Sequence, residues 1–428
     1  MERFYGIVQR NKNGIKMIHT EIRKKFLEFF EKRGHKIVPS SSLIPDDASV
    51  LFTTAGMQQF KKYYLDGSSP YGNRVASIQK SIRTTDIDEV GDESHLTFFE
   101  MLGNFSFKFP EGEGAYFKEE AIKFGYDFMV GELGIPLERI KIFVFKGDKE
   151  NNVPTDQESL EIWKKLGIPE DKIFFGERKD NFWGPTGLEG PCGPTTEIYV
   201  DGVEVWNIVF NEYYCDKEKE LVPLERKGVD TGMGLERLAM VIQGKKNVFE
   251  TDLFSPIFEK LSEKLPERIK RIIADHSRAV VFLVSDGVRP SNKEQGYVLR
   301  RLMRRIIVYA YQENIESPPQ KILETVVELY KTVNDYKNLN FSVIEDVYDE
   351  EYAKFIKSVG SGLKELEKLE SIDAQSAFRL YESYGLPYEI IKETAGTKAE
   401  GLTHQAFDEE FKKHQEISRA GAGKKFGK

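Results

Sequence analysis

His95-Leu96-Thr97-Phe98-Phe99-Glu100-Met101-Leu102-Gly103-Asn104-Phe105-Ser106-Phe107 is a long aromatic run that reads as a strand. It follows a second strand-like segment, 74–83, from which a polar loop separates it, so the two predict an antiparallel hairpin. Outward from the hairpin, strand character recurs at 35–38, 50–53, 140–145, 197–200 and 205–213, with helical stretches at 20–33, 115–132 and 156–166. In the first helix Ile22, Phe26, Phe29 and Phe30 share one side, Thr20 is the candidate N-cap and Gly34 the stop. Strands and helices do not alternate regularly, which favours an α+β fold with an antiparallel sheet flanked by helices over a doubly wound one. After Asp230 the pattern turns helical. A boundary near 255 is followed by helices around 266–285, 296–313, 319–334, 341–370, 373–384 and 403–419, an all-helical second domain.

The chain has 428 residues, 40% hydrophobic and 12% aromatic, enough to bury a large core in two or three domains. A formal net charge of −8 argues against sequence-blind wrapping of nucleic acid, which runs on phosphate neutralisation. Any nucleic-acid contact then needs local basic surface. Two cysteines, Cys192 and Cys215, make neither a disulfide framework nor a four-ligand zinc site and point to a reducing, cytoplasmic setting. No apolar run approaches the roughly 20 residues needed to span a bilayer. Residues 1–16 are polar, lack the apolar core of a secretory signal and read as an extension outside the core. The Gly-rich basic end, 421–428, reads as a flexible tail.

Three blocks carry chemistry. Arg83 ends the first hairpin strand, where its planar fork can hold a phosphate and a carboxylate together. On the return strand His95 and Phe99 share a face, a pairing that suits a triphosphate and a purine; core packing is the alternative for so many phenylalanines. The loop 184–194, Gly184-Pro185-Thr186-Gly187-Leu188-Glu189-Gly190-Pro191-Cys192-Gly193-Pro194, alternates backbone freedom and restraint and can approach a small ligand closely, or serve only as a tight connection. Trp183 before it and Glu197 after it fit a binding wall. In Asp230-Thr231-Gly232-Met233-Gly234-Leu235-Glu236-Arg237 a carboxylate sits beside a floor without side chains, which suits a small ammonium-bearing substrate, and Arg237 opens the following helix within reach of a phosphate. A plain helix N-terminus with a favourable acid has the same spacing.

Taken together, these blocks resemble the alanyl-tRNA synthetases, a family of class II aminoacyl-tRNA synthetases. The likeness runs from about residue 18 to 413. It is carried by Leu51-Phe52-Thr53-Thr54-Ala55-Gly56-Met57, the run 97–107, Asp180-Asn181-Phe182-Trp183, Gly190-Pro191-Cys192-Gly193-Pro194, Trp206-Asn207-Ile208-Val209-Phe210 and Asp230 to Arg237. The resemblance implies an aminoacylation domain at 17–255 and a helical domain reading the tRNA acceptor stem at 256–420. It implies Arg83 on the α-phosphate and the alanine carboxylate, His95 toward the outer phosphates, Phe99 under the adenine with Met101 in the ATP set, and Arg237 on the nucleotide's other side. Met57, Trp183 and Val209 would enclose the alanine methyl, with Asp230 on the ammonium, Asn207 nearby and Gly232 on the wall. ATP and Mg²⁺ follow as substrate and cofactor, and no side chain need act as a nucleophile.

In the helical half Arg300, Arg301, Arg304 and Arg305 form a basic stripe beside Val298, Leu299, Leu302 and Met303. Such a stripe is commonly only a solvated face; here Asp286-Gly287-Val288-Arg289-Pro290-Ser291-Asn292 and Gly296-Tyr297-Val298-Leu299-Arg300-Arg301 resemble the family's tRNA-recognition domain. The family commonly reads a G·U wobble pair with an Asn and an Asp where this chain has Glu294 and Glu382. Glu382 keeps a carboxylate, but Glu294 puts an acceptor-only anion near phosphates. The loop after Arg83 is also short, without the Gly-Gly-Lys-His segment of many members, and Leu96 replaces the second of two histidines.

The expectation is therefore a monomeric, non-membrane alanine–tRNA ligase that forms alanyl-adenylate and transfers alanine to tRNA(Ala). No His/Cys editing site is recognisable in the chain, so no self-correction of serine is expected. An alanine-adenylating ligase with a non-tRNA acceptor, such as a carrier protein, is the alternative. A non-catalytic RNA-binding descendant fits poorly with Arg83, Phe99, Asp230 and Arg237 all present.

Overall fold

The computed structural model describes residues 17–65, 67–85, 87–313 and 319–425. The expected extension at 1–16 and the last three residues of the tail lie outside them. The chain forms two compact units, one of residues through 87, 92–256 and 329–338, the other of 88–91, 257–328 and the chain from 339 on.

The first unit contains α1 (His19–Glu31), β1 (Lys36–Ile37), a 3₁₀ segment (Gly56–Tyr63), β2 (Arg74–Ile82), β3 (Phe98–Phe109), α2 (Lys118–Tyr126), β4 (Ile140–Phe145), α3 (Gln157–Lys165), β5 (Ile173–Gly176), α4 (Arg178–Asn181), β6 (Phe182–Trp183), β7 (Gly190–Val200), β8 (Val203–Cys215), β9 (Leu221–Gly234) and α5 (Leu235–Gln243). The strands join in the order β1-β2-β3-β9-β8-β7-β4-β5, with β6 paired to β7. The six central strands run antiparallel, and the edge strands β1 and β5 are parallel to their neighbours. The expected hairpin is present, with Ile82 opposite Phe98 and Arg74 opposite Ser106.

Period-two alternation sorts β3 into two faces. Phe98, Glu100 and Leu102 face the side covered by α1, whose Ile22, Phe26 and Phe30 are fully buried. Phe26 packs edge-on against Phe128 and Trp206 at ring-centroid distances of 5.5 and 6.2 Å. On the same side Arg23 forms a buried ion pair with Glu100, and Tyr336 donates to Glu100 Oε1 at 3.0 Å. The opposite face carries Phe99 and Met101, and farther along Phe105 and Phe107, which the 3₁₀ segment covers with Met57, Phe60 and Tyr63.

α6 (Ser255–Phe258) falls where the units divide. The second unit is helical: α7 (Glu267–Ser285), α8 (Glu294–Gln312), most of α9 (Pro319–Tyr330), α10 (Phe341–Lys368), α11 (Ala374–Tyr384), α12 (Tyr388–Ala395) and α13 (His404–Lys425). Among the described residues no helix is long and apolar enough to cross a membrane.

Several local expectations differ. The first helix begins at His19 after Ile18 rather than at Thr20, because Glu21 Oε2 accepts the Ile18 backbone N–H at 3.2 Å. Residues 50–53 are irregular and lead into the 3₁₀ segment. The second half of the Gly/Pro loop is the start of β7, where a register shift between Cys192 and Thr195 accommodates the glycines and prolines. β5 and β9 were not expected; β9 opens on the charged, Pro-containing Leu221 to Lys227, which has no alternating apolar pattern. Residues 230–234 are therefore the end of a strand, with Gly234 also the N-cap of α5. α9 stops at Tyr330, α12 is an additional helix, and α13 stays helical to Lys425, past the point where a loose tail was expected.

The buried pair gives a direct test of this core. Arg23→Ala leaves the Glu100 carboxylate buried without its countercharge, a loss of about 3–5 kcal/mol. All three tryptophans, Trp163, Trp183 and Trp206, belong to the first unit, so the unfolding free energy from urea denaturation followed by tryptophan fluorescence should fall by that amount.

Candidate active site

The three central strands β3, β9 and β8 build a cleft on the face away from α1. Met101 lies opposite Gly234 across the β3–β9 pair, and Asn207 and Val209 lie opposite Gly232 and Asp230 across β8–β9. Alternate residues of each strand thus meet on one surface. A cleft of about 270 Å³ is lined by Arg83, His95, Phe99, Met101, Trp183, Asn207, Val209, Asp230, Gly232 and Arg237, and also by Ala55, Ser94, Leu96, Glu204, Val205, Gly234 and Glu236.

Each expected cleft residue except Met57 is at this surface. Met57 is fully buried in the cluster with Phe60, Tyr63 and Phe105, against which Trp183 packs, so it stands one layer behind the wall and accepts a long contact from Thr186 Oγ1 at 3.6 Å. The methionine of the Gly-Met-Gln-Gln-Phe run turns inward with Phe60 on the 3₁₀ segment; its place at the wall had come from the family resemblance alone. Of the unanticipated lining residues, Glu204 and Glu236 matter most. Glu236 precedes Arg237 and could have been suspected from that block; Glu204 had no signal beyond its place two residues before Trp206 in β8.

Arg83 follows β2, its backbone N–H donating to Thr97 O at 3.0 Å, and its guanidinium carbon lies 5.0 Å from the centre of the Phe99 ring. His95 is oriented by Asp92, whose Oδ2 is 2.5 Å from Nδ1. Arg237, in the first turn of α5, donates from Nη1 to the Glu204 carbonyl at 3.2 Å and to its Oε2 at 3.3 Å. Two cations thus flank an aromatic platform. The floor is open because Gly232 has no side chain: a Cβ there would stand 2.8 Å from Met101 Sδ. At Gly193 a Cβ would fall 1.8 Å from Phe210 O, which makes glycine obligatory where β7 meets β8.

The carboxylates at the base are unusual. Asp230 is 5% exposed, and burial pushes its acid up to about 8. Glu197 accepts from Asn207 Nδ2 at 3.2 Å and is likewise pushed up to about 8, first by burial and then by the charge of Glu204. Low-polarity surroundings disfavour the charged form, so both stay protonated near neutral pH until a cation arrives.

In the second unit the arginines of α8 are not a solvated stripe. Arg300 and Arg304 share Glu351, with Nε–Oε distances of 3.2 and 2.7 Å. Arg301 pairs with Asp88 at 2.8 Å and with Glu389. Arg305 is fully buried, 3.5 Å from Glu393. The i,i+4 spacing was right, but acidic residues from distant helices neutralise it. Glu294 is exposed at the start of α8 with φ of 49°. Glu382, about half exposed, meets His414 Nε2 at 2.6 Å.

The family model described as tRNA synthetases class II (A) matches residues 21–427, in agreement with an antiparallel core sheet carrying the cleft on one face. The alanine–tRNA ligase of Borrelia hermsii is 43% identical over 447 residues, covering 95% of this chain and 74% of that protein. Those of Rubrobacter xylanophilus and Thermotoga sp. strain RQ2 are 41% and 42% identical over 94% and 95% of this chain, which spans half of their length. This chain belongs to the alanine–tRNA ligase family of class II tRNA synthetases.

The acid shift at Asp230 can be tested without substrate. Its pKa in the folded chain lies above the unfolded value, so ionisation opposes folding and stability from this group is lost as pH rises from about 4 to about 8. Asp230→Asn, neutral and of the same shape, should become progressively more stable than the parent across that window and hold a constant advantage above it. Urea unfolding at pH 5, 7 and 8.5 reads the difference; equal stabilities throughout would mean that Asp230 titrates normally.

Proposed function

We propose that this chain activates L-alanine with ATP and transfers the alanyl group to the 3′ end of tRNA(Ala), working as a monomer in the cytoplasm, where buried Cys192 and Cys215 stay reduced. The observation that carries this is the juxtaposition, in one cleft, of buried Asp230 and side-chain-free Gly232 with Phe99, the Arg83 that lies over it, and Arg237. A small ammonium compound fits the first, and a nucleotide fits the second.

In this reading the amino acid's ammonium meets Asp230, its methyl group lies between Val209 and Trp183, and Arg83 holds its carboxylate against the α-phosphate. The adenine stacks on Phe99 beside Met101, Arg237 covers the other side, and His95 faces the outer phosphates. A carboxylate oxygen forms a bond to the α-phosphorus, the bond to the bridging oxygen breaks, and pyrophosphate leaves with the electron pair. Catalysis is then positioning together with stabilisation of charge by fixed cations. Glu204 and Glu236 are the carboxylates available to Mg²⁺. When bound, Mg²⁺ would neutralise charge on the departing pyrophosphate. The helical unit would read the acceptor stem through exposed Glu294, partly exposed Arg300 and Glu382, with Arg301, Arg304 and Arg305 fixing the helices beneath.

Alanine-dependent ATP–pyrophosphate exchange and charging of a tRNA(Ala) transcript test this. Arg83→Ala or Arg237→Ala should lower exchange by about 10²–10³-fold, as loss of one preorganised donor does. Exchange without charging would mean that another acceptor takes the alanine; no exchange would remove the catalytic reading. Serine differs from alanine by one hydroxyl, so the cleft should activate it only about 10²-fold less efficiently. Because an incoming ammonium must displace the Asp230 proton, alanine affinity should rise by up to about tenfold per pH unit below pH 8 and then level off, a slope that Asp230→Asn abolishes along with most binding.

A further inference from the structure

In the second unit Asp88, Glu389 and His404 each offer a ligand atom within 4.8 Å of the others. We propose that these three residues hold a divalent transition-metal ion, of which Zn²⁺ is the best match.

The donors come from three separate places: Asp88 from the connection between Arg83 and His95, Glu389 from α12 and His404 from the start of α13. Glu389 is 3% exposed. Its Oε1 accepts from Arg301 Nη2, while its Oε2 is buried with no hydrogen-bond partner. An ionised oxygen left in that state is costly, and a cation is the ligand that relieves it. Arg301 does not reach it, since Nη2 is engaged by Asp88 Oδ1 and Glu389 Oε1 and its Nε is buried without a partner.

The histidine is prepared in the manner of a metal ligand. His404 Nδ1 lies 3.1 Å from Asp408 Oδ2, and its ring packs at a tilt on Tyr388, with centroids 4.7 Å apart. A proton on Nδ1 shared with a carboxylate fixes the tautomer and leaves the Nε2 lone pair for a metal. Charge agrees with this. Asp88, Glu389 and Asp408 set three carboxylates against Arg301, and Arg305, which also acts on Arg301, is paired with Glu393, so the cluster keeps an excess of acid that suits a cation. One imidazole with two carboxylates is a borderline donor set, which suits Zn²⁺ better than the oxygen-seeking Mg²⁺ or Ca²⁺. The bound ion would tie the connection at 88–91 to α12 and α13.

The test uses the untagged full chain stripped with a chelator, titrated calorimetrically with ZnCl₂ and analysed for metal after dialysis. One Zn²⁺ per chain is expected, with no comparable uptake of Mg²⁺. Asp88→Asn and His404→Gln, both at partly exposed positions that circular dichroism can confirm as folded, should each weaken binding at least about 100-fold, and Asp408→Asn about 10–100-fold. His414→Gln, at the surface pair with Glu382, should leave binding unchanged. Absence of stoichiometric Zn²⁺, or binding that survives His404→Gln, would overturn the site and leave the cluster as ion pairs of Arg301 alone.

Discussion

The register of β3 against β9, and of β9 against β8, is the constraint on which the rest of the first unit depends. Because side chains alternate with period two, one alignment puts Phe99, Met101, Asp230, Gly232, Asn207 and Val209 on a single surface and turns Glu100, Leu102 and Trp206 to the other side. A slip by one residue would exchange the two sets and leave neither a cleft nor a core. The buried Arg23–Glu100 pair and the aromatic packing of α1 hold that alignment from behind. The 3₁₀ segment, with Phe60 and Tyr63, seals the far end of the same face that is open at Phe99.

Within the cleft, electrostatics divides the labour. The arginines stand near the rim, one beside an aromatic ring and one leaning on Glu204, where solvent still tempers their charge. The acids lie deeper, and burial raises Asp230 and Glu197 to about 8. Such a base is poorly suited to stability, since each acid would be better solvated outside, and well suited to capturing a compact cation. That trade of folding free energy for a polarised pocket is common where function needs a charge in a dry place.

The fold class was legible because the hairpin and the six collinear blocks are strong local patterns, and the blocks that resemble the family hold most of the cleft. What was not legible has physical reasons. β9 opens on a charged, Pro-containing segment whose strand character comes from β3 and β8 on either side, a tertiary effect that no window of sequence carries. Met57 was placed in the pocket by the family resemblance; the 3₁₀ segment turns it inward. Residues 329–338 group with the first unit through Tyr336 and its bond to Glu100, a contact across 236 positions of sequence.

The basic stripe of α8 shows the same limit in its strongest form. Spacing alone identified four arginines on neighbouring helical positions, and counting them as free charge was reasonable while their partners were unknown. The partners are Glu351 from α10, Glu389 and Glu393 from α12, and Asp88 from the loop after Arg83. Each belongs to a segment remote in sequence. Four arginines paired with four acids, only Arg305 of them fully buried, bind the helices together and contribute little long-range field. A phosphate-bearing partner would have to displace those acids or be met by other groups. Selectivity in this unit then rests on the few polar side chains left exposed, and at Glu294 that side chain is an anion, which favours close hydrogen bonding to a base edge over attraction to the backbone.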